Sequence, residues 1–416
     1  MAAFSGNCRR IFRLAFSVLG VSVVLAAILF LPAALDEDRD AATLQWLANK
    51  PPSIDSAKNS HVAMLALNAL ESVPSAQIAE FHLLQRTIQA SGESDPHYWS
   101  ANLYKRARSE MLPVMRIPDA LDKLEDCLSD CPAYILREYD LVTRVADSTV
   151  LLRERYRAML MQSEYQDDSP RDPRVVTPDY KLASKLGVMH LAEIMADVKA
   201  GKVVAAYERW ADYQRFWQRV LEGSASLDGH LLARRQLERG LQVVAYLLES
   251  FPATVPVAAE KIGSVRDSRK LPVAEALRLA MIGEFQRRAY VLTDLVFHQP
   301  VFRMRTADEE NSSTWFDRLY LVLYQPNASL NLMRREMDKG LHSVTRSLDE
   351  SSSEVPSCAH KAGLRAVLNP VGYRLVCSYG AIDTAEWIAA AKVIDERIDI
   401  LFSRLNLSPR EQSPQR

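Results

Sequence analysis

The chain has 416 residues, with 51 lysines and arginines against 52 aspartates and glutamates, 48% apolar residues and 25% charged ones. This near-neutral balance excludes the basic footprint that phosphate-backbone binding leaves, so no nucleic acid partner is expected, and the apolar fraction excludes a mainly disordered chain. Only 14 glycines occur, too few for the frequent tight turns of a β-sandwich or barrel, so helix is favoured before any pattern is read.

From Leu14 to Leu35 no residue is charged, and at about 1.5 Å per residue the stretch rises about 33 Å, enough for a hydrocarbon core about 30 Å thick. Arg9, Arg10 and Arg13 precede it, and Asp36, Glu37, Asp38 and Asp40 follow with Arg39 among them. The positive-inside rule then leaves residues 1–13 in the cytoplasm, makes 14–35 a transmembrane signal-anchor helix and carries 36–407 across the membrane. A cleaved signal peptide shares the basic start. A cut after Ala34 would put Pro32 at −3, however, and a cut after Ala33 would put Leu31 there, where small residues belong. Cys8 lies on the cytoplasmic side, as a lipidation candidate or, more simply, a bystander thiol.

Beyond the anchor, apolar residues recur at three- and four-residue steps and strict alternation is scarce, the pattern of helices with one buried face. In an oxidising periplasm Cys127, Cys131, Cys358 and Cys377 allow two bridges in three connectivities. Proximity favours Cys127 with Cys131, where Pro132 interrupts the chain, and Cys358 with Cys377, over the segment Asn369-Pro370-Val371-Gly372, read here as a chain reversal. The polar break from Gln166 to Thr177 is a candidate subdomain boundary. Leu191, Ile194 and Val198 form a face that ends at Lys199-Ala200-Gly201, with Gly201 placed for a left-handed helix C-cap, and the stripe Val203, Tyr207, Trp210, Tyr213, Trp217, Val220 begins at once; this predicts a helical hairpin. Further stripes run Leu237, Leu241, Val244, Leu248, then Ile282, Phe285, Ala289, Leu292, and finally Ile388, Ala391, Ile394, Ile398, Leu401. Breaks at Arg303 to Ser313 and Glu350 to Ser357 separate helical blocks, and residues 408–416 read as a disordered tail. No period near 34 residues supports a tetratricopeptide solenoid, so the expected fold is all-α, an irregular array of helical hairpins.

No phosphate-loop, dinucleotide, esterase or metalloprotease signature occurs, so no catalytic residue is assigned and no cofactor is expected. The eight histidines are scattered without an i, i+4 pair, His360 beside Cys358 reads as a loop residue, and CxxxC without a nearby histidine is not a zinc spacing; no metal is expected. Glu193, Glu284 and Asp294 sit on or beside helical stripes, where solvated faces or buried caps account for them. The aromatic set Tyr207, Trp210, Tyr213 and Trp217 could line a ligand groove, and core packing accounts for it more simply. Asn327 or Ser329 is placed to cap the helix that runs on through Met333 and Met337. Asn311, Asn327 and Asn406 begin glycosylation sequons that matter only in a eukaryotic secretory pathway.

Two phrases, Gln325-Pro326-Asn327-Ala328-Ser329-Leu330-Asn331 and Asn369-Pro370-Val371-Gly372, resemble phrases of uncharacterised proteobacterial proteins that pair a short N-terminal anchor with a long helical region. Those proteins have threonine at the position of Ser329. The resemblance implies a bacterial inner-membrane setting and no particular activity. The expected function is that of a non-enzymatic interaction or scaffold module, anchored by one span with its main domain in the periplasm, contacting another envelope protein or a cell-wall component. The alternative is a periplasmic enzyme using carboxylate or histidine residues from distant helices.

Overall fold

A computed structural model describes residues 17–23, 36–50, 54–73, 115, 117–124, 127, 130–168, 177–268, 273–297, 324–349, 369–380, 397, 400, 401 and 403. Its helices are α1 (Ala41–Ala48), α2 (Ser60–Leu65), α3 (Asp119–Asp122), α4 (Cys131–Arg137), α5 (Tyr139–Ser148), α6 (Val150–Leu160), α7 (Tyr180–Lys199), α8 (Val203–Gly223), α9 (Leu227–Ser250), α10 (Val255–Ser268), α11 (Val273–Phe297), α12 (Pro326–Asp349) and α13 (Pro370–Gly380), with a 3-10 turn at Pro252–Thr254. Among the described residues there is no strand, only an isolated bridge between Asn59 and Glu164, and the expected all-α class is what the chain adopts.

The chain divides into two units. The first takes Met1–Ala48, Arg288–Ser343 and Ser352–Thr384, and the second takes Asn49–Arg287, Val344–Ser351 and Ala385–Arg416. The polar break at 166–177 therefore lies inside the second unit.

The second unit is organised around α7, α8 and α9, each packed on the other two, with α10 on α8, α4 on α9 and α6 on α7. Local chemistry starts these helices where they start. Asp179 accepts from the Leu182 N–H at the head of α7, Ser226 from the Gly229 N–H at the head of α9, and Asp130 from the Ala133 N–H at the head of α4, where Pro132 also sits. Between α7 and α8, Gly201 has φ 77°. The Lys202 N–H reaches the Asp197 carbonyl at 2.8 Å and the Gly201 N–H reaches that of Val198 at 3.0 Å. This is the paired bonding of a Schellman ending, which needs a residue that tolerates positive φ. The predicted hairpin is present.

Its aromatic stripe faces inward. Tyr207, Trp210, Tyr213, Trp217 and Val220 are fully buried, packed in one core with Leu191, Ile194 and Val198 of α7 and Leu237, Leu241 and Val244 of α9. Burial of each such side chain contributes on the order of 1.5–3 kcal/mol. The helices approach closely at Gly240, where a Cβ would run into the Gln214 side-chain amide. The Trp210 indole N–H accordingly reaches the Gly240 carbonyl at 2.9 Å.

The first unit buries Trp46 of α1, Ala289 and Leu292 of α11, Tyr324, Leu330, Met333 and Met337 of the α12 segment, and Val376 of α13. Two sequence readings are corrected in it. The Asn-Pro-Val-Gly segment is a helix start and not a reversal: Pro370 is the first residue of α13, and Asn369 accepts from the Gly372 N–H at 3.1 Å. Pro at the first helical position with Asn before it is a stable helix entry, because proline lacks only a donor that would be unsatisfied there anyway. Likewise neither Asn327 nor Ser329 caps α12; the cap comes from elsewhere in the chain.

Of the proposed anchor, residues 17–23 are described. They are helical, with Val18, Leu19, Val21 and Val23 exposed. No single helix among the described residues is long and apolar enough to cross a membrane. The remainder of 14–35, Cys8, the breaks at 303–313 and 350–357, most of the 388–401 stripe and the tail 408–416 lie outside the described residues.

Candidate functional site

The first unit holds a polar joint made from three separate stretches of sequence. The α12 segment begins with Pro326 and is preceded by Gln325, a poor capping residue, so its first N–H groups need an acceptor from a distance. Asp36 supplies it, accepting from the Asn327 N–H at 3.2 Å and the Ala328 N–H at 3.0 Å. A carboxylate at a helix N-terminus is further favoured by the helix dipole. The next residues continue along the same helix. Arg39 Nε donates to Asn327 Oδ1 at 2.8 Å, and Arg335 and Arg334 pair with Glu37 and Asp40 at 3.2 Å each. Asn331, 2% exposed, uses both ends of its amide: Oδ1 accepts from the Asp40 N–H at 3.0 Å, and Nδ2 donates to Glu37 at 3.1 Å and to the Asp38 carbonyl at 2.8 Å.

The same stretch faces the third one through alternate residues. Asn369 Nδ2 donates to the Gln325 carbonyl at 3.1 Å and to Ser329 Oγ at 2.9 Å, while its Oδ1 accepts from the Gln325 N–H at 3.1 Å. A Cβ on Gly372 would collide with Ser329 Oγ, so glycine permits this approach. Asp40 also accepts from the Thr43 N–H at 2.7 Å at the head of α1. Burial pushes its carboxyl pKa up, but the bonds from Thr43 and the Arg334 charge outweigh that and hold it below the usual carboxylate value.

In the second unit a chain of buried polar groups threads α8, α9 and α7. The Tyr213 hydroxyl donates to Gln236 Oε1 at 2.5 Å, Gln236 Nε2 reaches Ser184 Oγ at 3.3 Å, and Ser184 accepts from Arg239 Nη1 at 2.8 Å. Arg239, also 2% exposed, donates through Nε to the Cys127 carbonyl at 2.9 Å. Beside it His190 is buried and stacked on Tyr213, ring centroids 5.8 Å apart, and neither ring nitrogen finds a hydrogen-bond partner of good geometry. Burial lowers its pKa to about 4; Glu193 opposes this, and the Arg209 and Arg157 charges add to it. Burial pushes the pKa of Tyr213 upward.

The candidates singled out in the sequence fall as follows. Tyr207, Trp210, Tyr213 and Trp217 are core residues, and their polar atoms bond inward, Tyr207 to Thr254 at 3.0 Å and Trp217 to Tyr156 at 3.2 Å. Glu193 is paired with Arg153 at 2.6 Å and Arg157 at 2.7 Å. Burial raises its carboxyl pKa and those hydrogen bonds lower it by more, so the net shift is downward. Glu284 is buried against Arg287 at 2.7 Å, and the Asp294 side chain lies outside the described residues. Cys127 and Cys131 are joined, Cα atoms 4.9 Å apart. Cys127 precedes α4, so the pair does not sit one turn apart on a continuous helix. Cys377 is disulfide-bonded, and Cys358 and His360 lie outside the described residues.

One grouping of histidine and carboxylate had no sequence signal, because its members are some hundred residues apart. His61 Nδ1 lies 3.3 Å from the Tyr165 hydroxyl and Nε2 lies 3.8 Å from Asp167, all three buried. Among the described residues no group of three or more histidine, cysteine or acidic side chains could hold a metal ion. Comparison with models of protein families, with curated proteins and with solved structures finds no match to this chain.

Proposed function

We infer that the chain is an inner-membrane-anchored helical binding module, which meets another envelope protein or a cell-wall component in the periplasm from a fixed position. The observation that carries this reading is the joint. The acidic residues that directly follow the apolar stretch 14–35 are bonded residue by residue to α12, so an anchor at 14–35 would be coupled to the first unit without a free linker. The two phrases that resemble anchored proteobacterial proteins supply the rest of that joint.

The test is photo-crosslinking in native membranes from exposed positions of the second unit, Met161 and Val204, after an alkaline carbonate wash. Retention of the chain in the membrane pellet and a recurring crosslink to one envelope protein or to peptidoglycan fragments are expected. Release into the soluble fraction, or crosslinks no stronger than in the unirradiated control, would overturn the reading.

The enzyme reading is favoured by one observation, the grouping of His61, Asp167 and Tyr165. If it holds, His61→Gln abolishes turnover of a periplasmic substrate and leaves the thermal midpoint in place. A lowered midpoint with no turnover in either protein assigns the grouping to structure.

A further inference from the structure

The Cys127–Cys131 pair is fastened to α9 at two points one turn apart. Arg239 Nε donates to the Cys127 carbonyl at 2.9 Å, and the Cys131 N–H donates to Gln242 Oε1 at 2.9 Å. The first of these points is unusual in kind. A guanidinium as deeply buried as that of Arg239 is stabilised by the acceptors that its N–H groups meet, since burial of an uncompensated cation is costly. One acceptor is Ser184 Oγ on α7, which is bonded in turn to Gln236. Another is the main-chain carbonyl of Cys127, a half-cystine bridged to Cys131.

We propose that the Cys127–Cys131 disulfide is a redox lock on the second unit, in which Arg239 passes the state of the bridge to α7 and α9. A dithiol reductant of the thioredoxin class opens it by ordinary exchange: one thiolate attacks a protein sulfur and forms a mixed disulfide, and the second resolves it. Cys127 and Cys131 leave as two thiols and the reductant leaves as a disulfide, so two electrons and two protons pass to the protein. Both cysteines are buried, so exchange follows local opening, and the lock is slow to release while the unit stays closed. Once the bridge is open, Cys127 is tied to α4 by the main chain alone. An acceptor of the Arg239 guanidinium is then held less firmly, and the cost falls on Ser184, Gln236 and Tyr213 as well as on Cys127 and α4.

Hydrogen exchange on the full chain in detergent tests this. The double variant Cys127→Ser/Cys131→Ser is compared with the parent, a choice that leaves the bridge at Cys377 untouched. Peptides carrying Ser184 and Gln236 to Gln242 are expected to lose about tenfold or more of their protection. In an Arg239→Met background the same double substitution is expected to change those peptides by less than about threefold, because the side chain that links Cys127 to α7 is gone. Loss confined to residues 127–137 overturns the proposal, and that arm does not depend on Arg239→Met folding. Equal loss at Ser184 with and without Arg239 overturns it too.

Discussion

Acidification should weaken the second unit well before its carboxylates titrate, and His190 is where to measure it. Burial holds its pKa at about 4, against about 6.5 in an unfolded chain. As pH falls the unfolded state therefore takes the proton first. The stability that the neutral ring contributes is whole above about pH 6.5, is lost as pH falls through the window between the two values and levels off below about pH 4. Between pH 7 and pH 5 that difference amounts to about 2 kcal/mol for this one residue. His230 is lowered to about 3, by burial first and then by the Arg234 charge, and adds a similar amount over the same range. Glu193 is shifted below its ordinary value and its contribution is lost only at more acidic pH. The assay is urea unfolding of the parent and of His190→Phe at pH 7, 6 and 5. Phenylalanine suits the site because the imidazole stacks on Tyr213 and neither ring nitrogen has a hydrogen-bond partner of good geometry to lose. At pH 7 the variant should lie within about 1 kcal/mol of the parent. Across the pH range it should lose about 2 kcal/mol less than the parent does. A variant that keeps the full pH dependence would refute the assignment to His190.

In the first unit, Asn331→Ala deletes three hydrogen bonds and leaves the Asp40 N–H and the Asp38 carbonyl without that partner. A loss of about 2–3 kcal/mol is expected in chemical denaturation, with faster exchange at residues 36–40; unchanged exchange there would show that the joint does not hold this segment. Asp36→Ala should lower the stability of the first unit by about 1 kcal/mol, read as faster exchange in the first turn of α12; equal exchange rates in parent and variant would count against long-range capping. Gly240→Ala would ordinarily gain about 1 kcal/mol from helix propensity. Here the new methyl meets the Gln214 amide, so the thermal midpoint should fall, and a rise would show that α8 and α9 have room to spare.

What the sequence disclosed was whatever its own neighbours decide. The α7–α8 hairpin was readable because a glycine after Lys199-Ala200 closes a helix by bonds no more than five residues long. The aromatic stripe was readable because burial at helical spacing leaves a periodic trace. The joint was not, because Asp36 and Asn327 are 291 residues apart, and four acidic residues after an apolar stretch already have an explanation in membrane topology. Its one trace was negative: a helix beginning at Pro326 with no good cap before it. The Asn-Pro step at 369 was misread for a related reason, since the same dipeptide opens turns and helices alike and the residues after Gly372 decide which. Arg239 left no trace at all. It stands within an apolar stripe as an ordinary arginine on a helix, and its burial depends on Ser184 and Cys127 arriving from other parts of the chain.

The joint also decides where the chain can be shortened for work in solution. Removing everything up to the start of α1 would seem economical, since Ala41 opens a regular helix. That cut would take Asp36 from the head of α12, Glu37 and Asp40 from Arg335 and Arg334, and the main-chain partners from the buried amide of Asn331. The resulting fragment would lose the acceptors at the head of α12 and be less stable, a failure easily mistaken for a need for detergent. A cut that keeps Asp36 preserves these bonds, and the difference in yield between the two lengths would report how much of the folding of this unit is directed by five residues at its edge.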